Sequence, residues 1–151
     1  MVYAQLKYMW ATGAKEDSLN FLRQFSASLA RDVMQETNAQ TQRPGVSKSK
    51  MAELSKLVAR CYFKQGQWQV ELNDDWSSVQ KNVEEILHAY YLATLYDPGW
   101  YKAWHTWAIT NFSVVNKMES MADGKATDVV GERLAAHVVQ AVKGWLHQYV
   151  P

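Results

Sequence analysis

Apolar residues return every three or four positions along most of this chain, and no segment alternates convincingly between apolar and polar. The first pattern belongs to helices with one buried face; the second, which is missing, belongs to half-buried strands. The pattern is sharpest in GWYKAWHTWA, residues 99–108, where Trp100, Trp104 and Trp107 stand at i, i+4 and i+7 on one helix face. Only three Pro and seven Gly punctuate 151 residues, as a mostly helical chain requires. The fold class is therefore all-α. Short turns between helices imply antiparallel neighbours, in a bundle or in a slice of an α-solenoid.

The helices are placed by their periodicity and their stop signals. VYAQLKYMWATG is an apolar, aromatic first helix with Val2, Leu6 and Met9 on one face and Gly13 as its C-terminal stop. Lys15 to Glu36 carries Leu19, Leu22, Phe25, Leu29 and Val33 at helical spacing, with Asp17 or Ser18 as the cap. The polar stretch 37–50, with Pro44-Gly45, is expected to be a flexible loop. Met51 to Lys64 is helical, with Leu54, Leu57, Val58, Cys61 and Tyr62 inward. Gly66 reads as a break before a short helix carrying Trp68 and Leu72, and DDWSS as a turn. Val79 to Tyr96 buries Val83, Ile86, Leu87, Tyr90 and Ala93 and ends at Asp97-Pro98-Gly99. The tryptophan helix runs from Trp100 to about Met118, followed by a second flexible loop at about 119–127. The last helix, Asp128 to Tyr149, turns Val130, Leu134, Val138, Ala141, Val142 and Trp145 inward. The whole of 1–151 reads as one segment.

Composition excludes several functions. At 48% hydrophobic and 21% charged residues the chain is expected to fold. A net charge of +1 argues against a general nucleic-acid binder, and with it against the tryptophans as base-stacking platforms. One cysteine, Cys61, permits neither a disulfide framework nor a cysteine-rich metal site. No apolar run has the length of a membrane span.

Two junctions choose the solenoid. YFKQGQW, residues 62–68, matches the end of the first helix and the turn of a tetratricopeptide repeat, with Tyr62 ahead of the glycine. AYYLATLYDPGWYKAWHTWA, residues 89–108, matches the junction between repeats. Ala93 takes the small-residue position of a close helix crossing, Pro98 ends the repeat, and Trp104, Trp107 and Ala108 open the next with its large, large, small pattern. The tryptophans are thus read as packing between helices, with Trp100 partly exposed.

Catalytic chemistry finds no foothold. His88, His105, His137 and His147 form no His-x-x-x-His pair and have no Cys or carboxylate at metal-ligand spacing. The pairs Asp74-Asp75 and Glu84-Glu85 are adjacent in sequence, so their side chains diverge and form no acid–base dyad. Cys61 falls on an inner face as a buried thiol. Lys56, Arg60 and Lys64 stand out at i, i+4 and i+8 on one helix. Stacked repeats are expected to bring Lys102 next to Lys64. The cluster is either a polyanion site or a solvated face with Arg60 paired to a neighbouring helix's carboxylate.

KLVARCYFKQGQWQ, followed by YYLATLYDPGWYKAWHTWAITNF, resembles the FAT domain of the target-of-rapamycin (TOR) protein kinases in their fungal form, members of the PI3K-related kinase family. VYAQLKYMW at the start and AVKGW near the end resemble it too. The resemblance implies a solenoid of tetratricopeptide-like repeats that clamps a kinase domain lying later in the parent chain. It implies a non-catalytic segment of a serine/threonine kinase in nutrient and growth signalling. Its partners would be the rest of the TOR chain and TOR-complex subunits, in the cytoplasm or peripherally at endomembranes, with no nucleic acid and no membrane insertion. The chain itself has no Gly-rich ATP loop, catalytic loop or DFG metal motif. The resemblance also implies an inositol-polyphosphate site, of which inositol hexakisphosphate is the type, at Lys64 and Lys102; its extension to Lys56 and Arg60 rests on helical spacing. No other cofactor and no metal is expected. The alternative reading is a free-standing tetratricopeptide-like adaptor holding a peptide or protein partner, at which only Lys64 and Asn111 hint.

If Ala93 sits at a close crossing, Ala93→Leu overpacks it and costs roughly 1–3 kcal/mol. The melting temperature checks this; an unchanged value would put Ala93 on the surface and undo the repeat alignment.

Overall fold

The computed structural model describes residues 2–11, 13–40, 48–73, 80–122 and 128–149. They form α1 (Val2–Ala11), α2 (Lys15–Gln40), α3 (Lys48–Leu72), α4 (Gln80–Tyr96), α5 (Tyr101–Ala122) and α6 (Asp128–Tyr149). No strand occurs among the described residues. The chain divides into two compact units, Met1–Asp97 and Pro98–Pro151. Within each unit every helix packs on its sequence neighbour, giving the all-α arrangement of antiparallel helix pairs.

In the first unit, α1 ends at Gly13, whose φ of 93° lies in the left-handed region that favours glycine. The Ala14 amide donates to the Met9 carbonyl and the Gly13 amide to the Trp10 carbonyl, so the bonds that close a helix C-terminus are both present. The chain then enters α2 without a spacer. Ser18 is buried, and its amide and hydroxyl both donate to the Ala14 carbonyl. Ser18 and Asp17 therefore lie inside the first turn rather than at a cap. α2 crosses α3 in antiparallel register through two clusters: Leu19 and Leu22 with Cys61 and Trp68, and Ala30 and Val33 with Val58.

α3 departs from the sequence expectation. It runs unbroken through Gly66. The reason is the partner helix: a Cβ on Gly66 would lie 2.6 Å from Cε1 of Tyr90, a buried ring on α4 that also meets Phe63 at 5.3 Å. The glycine makes room for a tyrosine. Leu57, expected inward, is exposed, and Ala59 is buried in its stead. At the far end of the pair the Ser55 hydroxyl donates to the Tyr96 carbonyl and satisfies one of the last acceptors of α4. Part of each stretch read as a loop is helical, since α2 extends to Gln40, α3 begins at Lys48 and α5 reaches Ala122. Residues 41–47 and 123–127 and the turn read in DDWSS lie outside the described residues.

The second unit is the α5–α6 pair. Trp107, Ala108, Val114 and Val115 are buried, whereas Val138 and Val142, expected inward, are exposed. The helices close through Gly144, where a Cβ would lie 2.9 Å from that of Ala108 and 3.3 Å from the Trp107 ring. α6 is therefore rotated so that its glycine, rather than those valines, faces α5. The side chains of Val130, Leu134, Ala141 and Trp145, like those of Val2, Tyr3 and Leu6, lie outside the described residues.

Gly66→Ala separates the two readings of that glycine. As a helix interrupter, its replacement would stabilise by about 1 kcal/mol. As the notch for Tyr90, overpacking costs roughly 1–3 kcal/mol, and a net fall in melting temperature is expected.

Candidate functional site

The basic stripe is carried by α3. Lys56 and Arg60 are exposed and Lys64 is half-buried. The Lys64 ammonium donates to Gln67 Oε1 at 3.3 Å and lies 5.8 Å from the centroid of the Trp68 ring. Glu53, one turn before Lys56, is exposed, as is Glu71 beyond Gln67, so carboxylates flank the stripe at both ends. Lys102 belongs to the other unit, exposed in the first turn of α5.

Next to the stripe is an arrangement that sequence reasoning missed. The indole of Trp10, from α1, stacks on that of Trp68 with centroids 4.5 Å apart and planes 7° from parallel. Its N–H donates to Glu71 Oε2 at 2.9 Å, and the Lys15 ammonium lies 5.2 Å from the ring centroid. On the α4 side, Glu85 accepts from Arg23 of α2 at 3.3 Å and from the buried Gln69 of α3 at 3.0 Å, tying three helices through one carboxylate. This is how Glu85 is used, in a brace and not in a dyad with Glu84, which is exposed. Asp74 and Asp75 lie outside the described residues.

In the second unit the histidines have structural work. The Pro98 carbonyl, which can only accept, takes the indole N–H of Trp104 at 2.9 Å and Nε2 of His147 at 3.0 Å. His147 therefore carries its proton on Nε2, and its ring stacks on Trp104 at 3.9 Å. Asn111, buried, donates to the Trp107 carbonyl, which turns its amide oxygen to Nδ1 of His137 at 2.9 Å and makes that nitrogen the donor. His105 is exposed and stacks on Tyr101. None of these arrangements presents a nucleophile to a general base. Among the described residues no three His, Cys, Asp or Glu side chains are grouped to hold a metal ion.

Of the residues read as core, Ala93, Trp107 and Ala108 are buried, and Tyr62 and Trp104 are half-buried. Tyr62 stacks on Tyr96, and Trp104 meets Trp107 edge-on at 5.8 Å. Burial pushes the Tyr90 hydroxyl up to about 12, helped by the Glu71 charge; the Tyr62 hydroxyl is raised by burial, then by Tyr96 and Cys61. No sequence periodicity could have found the Trp10–Trp68 stack, since its partners lie on helices that are not consecutive. In the second unit, Gly144, a glycine inside a strongly periodic helix, was a legible sign of the close approach of α6 to α5.

Antiparallel helices, each packed on its sequence neighbour, define an α-helical repeat module. The FAT-domain family model matches residues 1–148, and the chain belongs to that family. It is similar to the serine/threonine-protein kinase TOR2 of Saccharomyces cerevisiae, 33% identical over 180 residues, which cover 97% of this chain and 7% of the relative. It is similar also to the serine/threonine-protein kinase tor1 of Schizosaccharomyces pombe, at 36% over 152 residues, 99% of this chain and 6% of the relative. The serine/threonine-protein kinase mTor of Drosophila melanogaster is 32% identical over 128 residues, 82% of this chain and 4% of the relative. The chain thus spans less than a tenth of the length of these kinases. No described helix is long and apolar enough to cross a membrane.

Cys61 yields a pH prediction. Burial raises its thiol from 9.0 to about 11. Below pH 9 the thiol is protonated in both folded and unfolded states and leaves stability untouched. Above it the unfolded thiol ionises first, so stability is lost as pH rises from 9 towards 11. Cys61→Ala should flatten that loss in melts across the interval. Iodoacetamide at pH 8 should label the native chain far more slowly than the urea-unfolded one.

Proposed function

We propose that this chain is a non-catalytic scaffold segment of a TOR-type serine/threonine protein kinase, serving growth and nutrient signalling by positioning the kinase domain of its parent chain. One observation carries the reading: nearly the whole chain aligns with a small part of several TOR kinases. The internal chemistry supports it, because Glu85, Asn111, His137 and His147 are committed to bracing helices. Such a segment contributes to phosphoryl transfer only through shape. Its partners are the remainder of the parent chain and, through it, the subunits of a TOR complex, with any attachment to endomembranes made by those partners.

The basic residues fit an inositol polyphosphate, with inositol hexakisphosphate the ligand to test. Lys56 and Arg60 on the exposed face of α3, with Lys64 one turn on and Lys102 from α5, are the cations of that reading. Several cations from different helices are needed to match a densely charged ligand. The ligand's effect would be to stabilise the folded solenoid by mass action.

Two measurements test the proposal. The full transcript should read through Pro151 into a kinase domain; a stop codon directly after it would leave the adaptor reading instead. In the full-length protein, inositol hexakisphosphate at 100 times its dissociation constant should stabilise by about 2.7 kcal/mol. Most of that should vanish in the Lys64→Glu/Lys102→Glu double mutant. Equal stabilisation of both proteins would reject the site.

A further inference from the structure

The Glu85 brace that joins α2, α3 and α4 contains an acceptor that nothing in the chain satisfies. Gln69, in α3, is 2% exposed and donates through Nε2 to Glu85 Oε2 at 3.0 Å. That carboxylate accepts only, so the amide cannot be reversed without setting oxygen against oxygen. Oε1 of Gln69 is thereby turned away from Glu85, and it is covered from solvent and receives no hydrogen bond. One turn earlier on α3, Oε1 of Gln65 is covered and undonated in the same way. Positions i and i+4 are neighbours on a helix surface, so the two oxygens belong to one side of α3. Among the described residues, these are the buried side-chain polar atoms without a partner. A buried acceptor without a donor is costly enough that folded proteins rarely keep one.

The side-chain donors of the same three helices are already engaged. Ser18 donates to the Ala14 carbonyl and Ser26 to that of Leu22, both within α2 or at its start, and Thr94 donates to the Tyr91 carbonyl on α4. Asn73 gives its amide proton to the Gln69 carbonyl, and Asn82 gives its own to Asn73 Oδ1. Arg23 is divided between Asn20 and Glu85. The donor therefore comes from outside the chain, and its chemistry follows from what it meets. It faces two neutral amide oxygens, while the Glu85 carboxylate is engaged by the opposite end of the Gln69 amide. A cation taken out of water would have no counter-charge there. A water molecule brings two protons and no charge, and it is small enough to be enclosed.

We propose that Gln65 Oε1 and Gln69 Oε1 hold one internal water molecule between them, and that this water completes the brace by which Glu85 ties α2, α3 and α4. Gln69 is then a two-sided link, its nitrogen on the carboxylate and its oxygen on the water. A glutamate in its place would repel Glu85, and a leucine would hold neither partner.

The test is magnetic relaxation dispersion of the water oxygen signal in solutions of the 151-residue chain, which registers waters held for longer than the protein takes to tumble. Gln65→Met keeps the length of the side chain and removes one acceptor, so the dispersion amplitude should fall by the contribution of one water. Gln24→Met, the same exchange at an exposed position of α2, should leave the amplitude unchanged. A water-selective nuclear Overhauser experiment should show cross-peaks from long-lived water to the side-chain amide protons of Gln69 in the wild-type chain. An amplitude in Gln65→Met equal to that of the wild type overturns the proposal. So does a Gln69 amide without a water cross-peak, the result expected if Gln65 donates directly to Gln69. That measurement needs no variant and decides the matter should Gln65→Met fail to fold. Exchanging choline chloride for ammonium chloride should leave the melting temperature unmoved. A rise that Gln65→Met abolishes would make the occupant a cation and overturn the water.

Discussion

Two helices can approach only as closely as the largest side chain on their crossing line permits. In both units the crossing is opened by a residue with almost no side chain, set against an aromatic ring. Gly66 accepts the edge of Tyr90 between α3 and α4, and Gly144 accepts Ala108 and the Trp107 ring between α6 and α5. A wide ring against a bare backbone buries much apolar surface on few contacts, and fully burying such a side chain contributes a few kcal/mol. Glycine in a helix interior costs up to about 1 kcal/mol in propensity, so burial of the facing ring outweighs the loss. Gly66 and Gly144 thus sit in helix interiors where a ring meets them, and neither helix breaks there.

Once the pairs are closed, their polar groups must be satisfied at the seams. The seams use side chains that bridge helices: Ser55 to the Tyr96 carbonyl, Gln69 and Arg23 to Glu85, and Asn111 between the Trp107 carbonyl and His137. Each bond takes a group that could serve catalysis and fixes it in the packing. His147 is the clearest case, because its Nε2 proton is committed to the Pro98 carbonyl and its ring face to Trp104. A side chain held at both its polar and its aromatic surface positions a helix end and has little left with which to carry a proton to a substrate.

The sequence pattern showed where helices lie better than it showed where they stop or which way they face. Periodicity located α2, α4 and α6 because their apolar stripes are long. It failed at Gly66, where the deciding atom, Tyr90 Cε1, lies 24 positions further along the chain. It failed again at Leu57, Val138 and Val142, since a stripe wider than the contact leaves its margin exposed and only the partner selects which edge. The basic stripe on α3 was legible from spacing, but the engagement of Lys64 by Trp68 and Gln67 was not, although all three share a helix. Spacing at i+3 and i+4 allows those contacts; it does not say whether the ammonium chooses them over solvent.

That choice links the two sites of the first unit. Lys64 lies 5.8 Å from the Trp68 ring centroid, and that ring is also the floor on which Trp10 rests. A cation beside an indole at a partly exposed position is worth about 0.5–1 kcal/mol, and the charge-assisted hydrogen bond that the ammonium donates to Gln67 adds to it. A polyphosphate drawing Lys64 outward must replace both, so each would be subtracted from what the charge pair returns. Lys56 and Arg60 are exposed on the same helix, whereas Lys64 is half-buried. Any ligand strong enough to move Lys64 alters the electrostatic surroundings of the Trp10–Trp68 stack at the same time, and the docking of α1 and the occupancy of the basic face would be coupled through one ring.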